Sequence, residues 1–386
     1  MKEFEHAGSS VSMSPDGDFV AVGFKEADRP AVERTGLVRV YQRNTNNSYS
    51  SLGEDGMFGR ATGDEFGASV SISNDGTRVA VGARSSSSLG KEKNGEVTVF
   101  EYSDASDSWR PLGSSIHGKE DSERLGWSVS ISGDGDRVAV GAPKGNGGTG
   151  STGLHEYDGL EWILLGGIVV GESDGDRAGF SVALSNDGTT LAVGAFTSSN
   201  GDLSNSGSVT VYKVEGGSVG NSFSSCLVNQ GQTLVGANDE AQFGYSVSLS
   251  GDGKRLVVGS NGFSSADVSK VGLCAVYKLQ EDDWMIIGNS IGSKENEEAG
   301  SHVSISKNGN VVSCSKSISI DGALSGSLVV LEENSTGWIV ADIVVASLGN
   351  STSFGSSVSL SQDGEWIVAG GPSYNSSAGF FEIFAR

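Results

Sequence analysis

The residues of this 386-residue chain with most capacity for chemistry are carboxylates gathered in five short runs: Asp64-Glu65, Glu120-Asp121-Ser122-Glu123, Glu172 to Asp176, Asp239-Glu240 and Glu295 to Glu298. Each run stands just ahead of a similar apolar segment. Repeated on one face of a fold, such runs would form a negative ring, suited to a cation or a basic partner, or would serve only as a solvated rim. Asp64, Asp121, Asp174, Asp239 and Glu295 are therefore candidate binding residues. Trp127 and His302 join them because each breaks a repeated pattern, as does Trp366. An aromatic outside the pattern suits an exposed contact. A histidine where other copies hold serine brings a titratable ring. No catalytic set emerges, and no catalytic residue is nominated. The Gly-Ser pairs sit in turn-rich loops and not ahead of helices, so they lack the context of a nucleophile elbow. The stretch Gly145 to Gly153 lacks the Lys-Ser/Thr ending and following helix of a phosphate cradle.

Composition narrows the partners. The chain has 48 acidic and 26 basic residues, a formal net charge of -22. That excludes nucleic acid and anionic membrane surfaces as natural partners, since both reward clustered Lys and Arg. Cations, basic proteins and neutral glycans stay compatible. No run approaches the roughly 20 apolar residues of a membrane-spanning helix, so no membrane insertion is expected. Met1 to His6 lacks the apolar core of a signal peptide. Cys226, Cys274 and Cys314 fall in three different repeats with no CxxC spacing, which predicts buried free thiols and no zinc site.

Many short strands must position these residues. One pattern recurs seven times: AGSSVSMSPDG from Ala7, FGASVSISNDG from Phe66, LGWSVSISGDG from Leu125, AGFSVALSNDG from Ala178, FGYSVSLSGDG from Phe243, AGSHVSISKNG from Ala299 and FGSSVSLSQDG from Phe354. An alternating strand runs into an Asp-Gly or Asn-Gly turn, and a second apolar strand such as Arg78 to Ala83 follows, which reads as a hairpin. A Gly/Ser/Asn-rich loop, a third strand such as Glu96 to Tyr102, and a short fourth strand opening on an aromatic (Tyr49, Trp109, Trp162, Phe223, Trp284, Trp338) complete the unit. Seven antiparallel four-stranded units predict an all-β, seven-bladed β-propeller in a single domain spanning residues 1–386. In the first strand, serines face one side and Val or Ile the other, which suits crowding near a propeller axis. The outer aromatics recur in six units, so they are expected to be packing. The last unit ends on Phe380 to Phe384, its third strand. Ring closure is thus the soft point: either the seventh blade is three-stranded, or the chain is cut from a longer protein.

These motifs resemble the FG-GAP repeat, the blade of integrin α-subunit propellers. The Phe-Gly pair is intact at Phe66-Gly67, Phe243-Gly244 and Phe354-Gly355, and Val-Gly-Ala-Pro is complete at Val140 to Pro143. The resemblance implies calcium sites in the hairpin turns of many members, of the type Asp-x-Asp/Asn-x-Asp-Gly-x-x-Asp. Here Ser14, Ser73 and Ser132 replace the first Asp. Usually one carboxylate per turn remains, short of the charged oxygens calcium requires, so no cofactor is expected and each Asp should cap its own turn; residual calcium binding would fall at Asp134/Asp136 or Asp16/Asp18.

The resemblance implies a non-enzymatic binding or adhesion propeller that presents loops to a protein or glycan ligand, as a monomer or as a domain of a larger protein. It also favours an extracellular or cell-surface setting. Asn-x-Ser/Thr sequons at Asn46, Asn334, Asn350 and Asn375, all in expected loops, agree with that setting. The alternatives are a polysaccharide lyase or hydrolase on a propeller scaffold, and a structural subunit of an assembly. An enzyme should show a deep axial pocket with converging His, Tyr, Arg or carboxylates.

Overall fold

A computed structural model describes residues 5–29, 32–215, 227–320, 323–346, 353–373 and 378–386. Seven antiparallel sheets succeed one another along the chain, each ordered first to last strand as in the sequence. The first strands begin at Ala7, Phe66, Ser128, Ser181, Phe243, Val303 and Ser357 and touch their neighbours in a ring about the axis. The only helix among the described residues is a single 3-10 turn, Asn146–Gly148. Six blades carry a fourth strand. In blades 2, 3 and 4 it is split in two, as in Ser108–Pro111 and Ile116–His117, and both pieces pair with the third strand. The seventh blade has three strands: Ser357–Leu360, Trp366–Gly371 and Phe380–Ala385.

The turn of each hairpin follows from its own residues. Ser73 Oγ donates to Asp75 Oδ1 (2.7 Å) and accepts the Arg78 amide (3.0 Å), while Asp75 Oδ1 accepts the Thr77 amide (3.0 Å). The same triad forms in all seven turns, with Asn308 standing in for Asp in blade 6. Asp16, Asp75, Asp134, Asp187, Asp252 and Asp363 are thus each engaged in holding their own turn. Among the described residues no three His, Cys, Asp or Glu side chains gather around a common point.

The alternating serines join blade to blade. Ser10, Ser69, Ser128, Ser181, Ser246 and Ser357 each donate to the signature-glycine carbonyl of the next blade, over 2.7–2.9 Å. Two residues on, Ser12, Ser71, Ser130, Ser248 and Ser359 accept a backbone amide from the next blade. First strands splay too far apart to share a backbone ladder, and a one-atom hydroxyl arm spans the gap. The second-strand glycine exists for the same approach: a methyl at Gly82 would overlap the Gly126 carbonyl. At the rim, the indole of Trp109 donates to Leu52 (3.1 Å), Trp162 to Leu112 (2.8 Å) and Trp284 to Gln230 (2.8 Å), each against a glycine of the preceding blade. The outer aromatics are therefore architecture, as expected; Phe223 lies outside the described residues. Apolar side chains pack between neighbouring blades, as where Val209 and Val211 of blade 4 meet Leu256 and Val258 of blade 5.

Two expectations change. Cys274 and Cys314 are not free thiols: they form a disulfide, with Cα atoms 6.4 Å apart, because the third strand of blade 5 faces the second strand of blade 6. Cys226 lies outside the described residues. Trp366 is no exposed contact. It packs against Tyr49, with Arg43 4.7 Å over its ring, between blades 7 and 1. The closing interface is bonded like the others. Ala7 donates to Ala378, Ser357 to Gly8, Met13 to Ser359 and Gln362 to Pro15, so a three-stranded last blade still joins the first by the shared pattern. The N-terminal Met1 to Phe4 lie outside the described residues.

Candidate functional site

The residue after each signature glycine occupies one equivalent position in every blade. Around the ring it is Ser9, Ala68, Trp127, Phe180, Tyr245, Ser301 and Ser356. Six of these, all but Ser301, line a cavity of about 370 Å³, along with the serine column and His302. The cavity is asymmetric. Blades 3, 4 and 5 supply an aromatic wall: the Trp127 and Phe180 ring centroids are 5.3 Å apart, and those of Phe180 and Tyr245 are 4.9 Å apart. Phe196 backs them, buried, 4.2 Å from Phe180. At that position blades 7, 1 and 2 supply only serine or alanine, while His302 of blade 6 and Arg84 of blade 2 enter the cavity from other positions.

Polar groups furnish this wall. Arg84 lies 4.2 Å over the Trp127 ring and donates through Nε to Glu65 (2.6 Å). Burial pushes the Glu65 carboxyl up, but the Arg84 guanidinium more than offsets it and leaves it below the usual range. Burial, and then the charge of Glu298, raises the Tyr245 phenol, which stays protonated at neutral pH. His302 occupies the serine column. Its Nδ1 is buried without a partner, and burial lowers its pKa to about 4, so the ring is neutral. Its presence has a local cause. In blade 6 Ser315 stands where the other blades have the second-strand glycine, and its Oγ accepts the His302 amide (2.7 Å). The serine-to-carbonyl bond made elsewhere is absent there among the described residues.

The seven candidates separate. Trp127 and His302 share the axial cavity. The carboxylates do not converge on it. Asp64 is buried and accepts the Arg60 and Ala61 amides (3.2 and 2.7 Å), closing its own loop; burial, foremost, raises its pKa. Its structural counterparts are Glu123, Asp176 and Glu297, likewise buried and bonded to loop amides. Asp121 and Asp239 sit two residues earlier, exposed, and accept the Glu92 and Ser204 amides of the neighbouring loop. Glu295 accepts the Ser269 hydroxyl (3.1 Å), and Asp174 is exposed near Gly148. Sequence reasoning missed Phe180, Tyr245 and Arg84. Comparing the seven copies at the position after the glycine would have found the first two.

A profile of FG-GAP repeats matches residues 59–100, the lead into blade 2 and its first three strands. No curated protein matches the chain. Among solved structures, hydrazine synthase of Kuenenia stuttgartiensis is similar at 14% identity, covering 100% of this chain and 97% of that chain, with a TM-score of 0.61. A Bacteroides uniformis protein described as a 6-phosphogluconolactonase is similar at 10% identity, covering 95% and 97%, with a TM-score of 0.59. The periplasmic gluconolactonase of Pseudomonas aeruginosa is similar at 15% identity, covering 88% and 85%, with a TM-score of 0.55. At these identities the likeness is one of fold. With its Phe-Gly strands, serine-aspartate turns and Val-Gly-Ala strands repeated around the ring, the chain is a seven-bladed β-propeller that carries an FG-GAP repeat at residues 59–100.

Proposed function

We propose that this protein is a non-enzymatic binding propeller whose ligand, a protein or a glycan, engages the axial mouth. The observation that carries the reading is the clustering of Trp127, Phe180 and Tyr245 in three consecutive blades at one repeat position, where the other four blades hold serine or alanine. Drift would scatter such changes, and packing would not expose them to a cavity. The Cys274–Cys314 disulfide supports an oxidising, extracellular setting, and the exposed sequon turns at Asn46 and Asn334 agree. Asn350 and Asn375 lie outside the described residues.

One observation favours an enzyme as the second reading: Arg84, Tyr245 and His302 line the same cavity, and lactonase propellers are among the fold neighbours. Against it, Arg84 is held by Glu65, and no carboxylate pair lines the cavity. A binding screen of glycans and proteins, run beside turnover assays on polysaccharides and sugar lactones, separates the two. Trp127→Ala should weaken binding about tenfold or more while wild type turns over nothing. Turnover lost on His302→Ala would reject the binding-only reading.

A further inference from the structure

The chemistry of the cavity wall selects among ligands, granted that the axial mouth is the binding site. Every serine lining the cavity commits its proton to a backbone carbonyl. The column serines donate to the next blade, Ser9 donates to Gly23 (3.1 Å), and Ser356 donates to Ser353 (2.5 Å). A hydroxyl so engaged offers only lone pairs. The column serines of six blades therefore ring the mouth with hydrogen-bond acceptors, with valines between them. Blades 3, 4 and 5 add the three aromatic rings.

Anions suit this wall badly: a carboxylate or phosphate would face lone pairs, the lining Arg84 is already paired with Glu65 (2.6 Å), and the whole chain carries -22. Organic cations are also disfavoured. The Arg84 guanidinium, 4.2 Å from the Trp127 ring centroid, lines the same cavity and repels a second cation there, but not an uncharged partner. What remains is an uncharged molecule with a flat apolar face and an edge of donors. A pyranose ring has both, in its C–H face and its equatorial hydroxyls.

We infer that the axial mouth binds the end of a neutral saccharide, its C–H face on Trp127, Phe180 and Tyr245 and its hydroxyls donating to the serine wall. A cavity of about 370 Å³ sits at the low end of small-ligand sites, which suits one terminal unit or two rather than the middle of a chain.

The test is isothermal titration of the intact protein with neutral oligosaccharides (gluco-, manno- and galacto-configured), uronic acid oligosaccharides and tetramethylammonium. The expected result is binding of at least one neutral saccharide, weakened about tenfold or more by Trp127→Ala. Tyr245→Phe retains the ring and should keep most of that affinity, which guards against a folding artefact; melting curves check all variants. Trp127-dependent binding of uronates or tetramethylammonium but of no neutral saccharide would overturn the ligand class while leaving the axial site standing. If no member of the panel binds up to tens of millimolar, the saccharide inference falls. If in addition a protein ligand from the separate screen binds wild type and Trp127→Ala alike, the axial reading falls with it.

Discussion

His302 and Ser315 form a paired replacement. A serine column that joins each blade to the next loses its member in blade 6, and the glycine it would sit beside becomes Ser315, whose hydroxyl takes the His302 amide instead. Restoring both, as His302→Ser with Ser315→Gly, should re-form the bond to the Gly355 carbonyl and raise stability by about 1 kcal/mol, read as a higher urea midpoint. An unchanged midpoint would show that blades 6 and 7 do not approach closely enough to make it. The pH dependence follows from the same ring. His302 titrates near 4 in the fold against an ordinary 6.5. The unfolded chain therefore takes up this proton first, so stability is full above about pH 6.5 and declines as pH falls toward 4. His155, lowered to about 4 by burial and then by Lys119, acts in the same direction. The double variant should lose roughly half of that decline. Residues of this kind were half legible. His302 stood out against six serines, but Tyr245 and Phe180 did not, because an aromatic in an apolar strand reads as ordinary core until the axis is placed.

The strands show why the repeat has the composition it has. Signature glycine, second-strand glycine and stitch serine meet at one inter-blade contact. Gly82→Ala should cost about 3 kcal/mol by forcing neighbouring backbones apart. Gly90→Ala, in a loop with nothing near its missing methyl but a φ of +77°, should cost only about 1 kcal/mol. Equal losses in chemical denaturation would argue against the close approach. The Cys274–Cys314 disulfide belongs at this scale too. Closing a loop of sequence separation 40 should contribute about 4 kcal/mol, so Cys274→Ala/Cys314→Ala should unfold at clearly lower denaturant, and a reducing agent should shift wild type but not the variant. The hairpins, turns and outer aromatics were legible because their causes are local. The disulfide was not, since it depends on which strands of neighbouring blades face each other. The buried carboxylates were misregistered for a related reason. Acid-rich loops vary in length, and the structural position of Asp64 is shared with Glu123, Asp176 and Glu297 rather than with Asp121, Asp174, Asp239 and Glu295.

The whole ring closes without a fourth strand in its last blade. Seven repeats supply seven similar interfaces, and the one between blades 7 and 1 carries its serine bonds intact. Ser357→Ala should therefore cost about 1 kcal/mol, as much as Ser69→Ala within the chain. A negligible loss at Ser357 beside a normal loss at Ser69 would mean an open ring. The repeat count in the sequence set the architecture, but the proposed site lies where repetition fails: three aromatics and a histidine around one cavity.

The most direct test of the axial site follows the six tryptophan indoles by heteronuclear NMR during titration with the saccharide that binds. Five of them, Trp109, Trp162, Trp284, Trp338 and Trp366, lie away from the cavity, and only Trp127 lines it. Selective perturbation of the Trp127 indole resonance, saturating with the calorimetric affinity, is the expected result. Perturbation of the rim indoles with Trp127 unmoved would place the ligand elsewhere and contradict it.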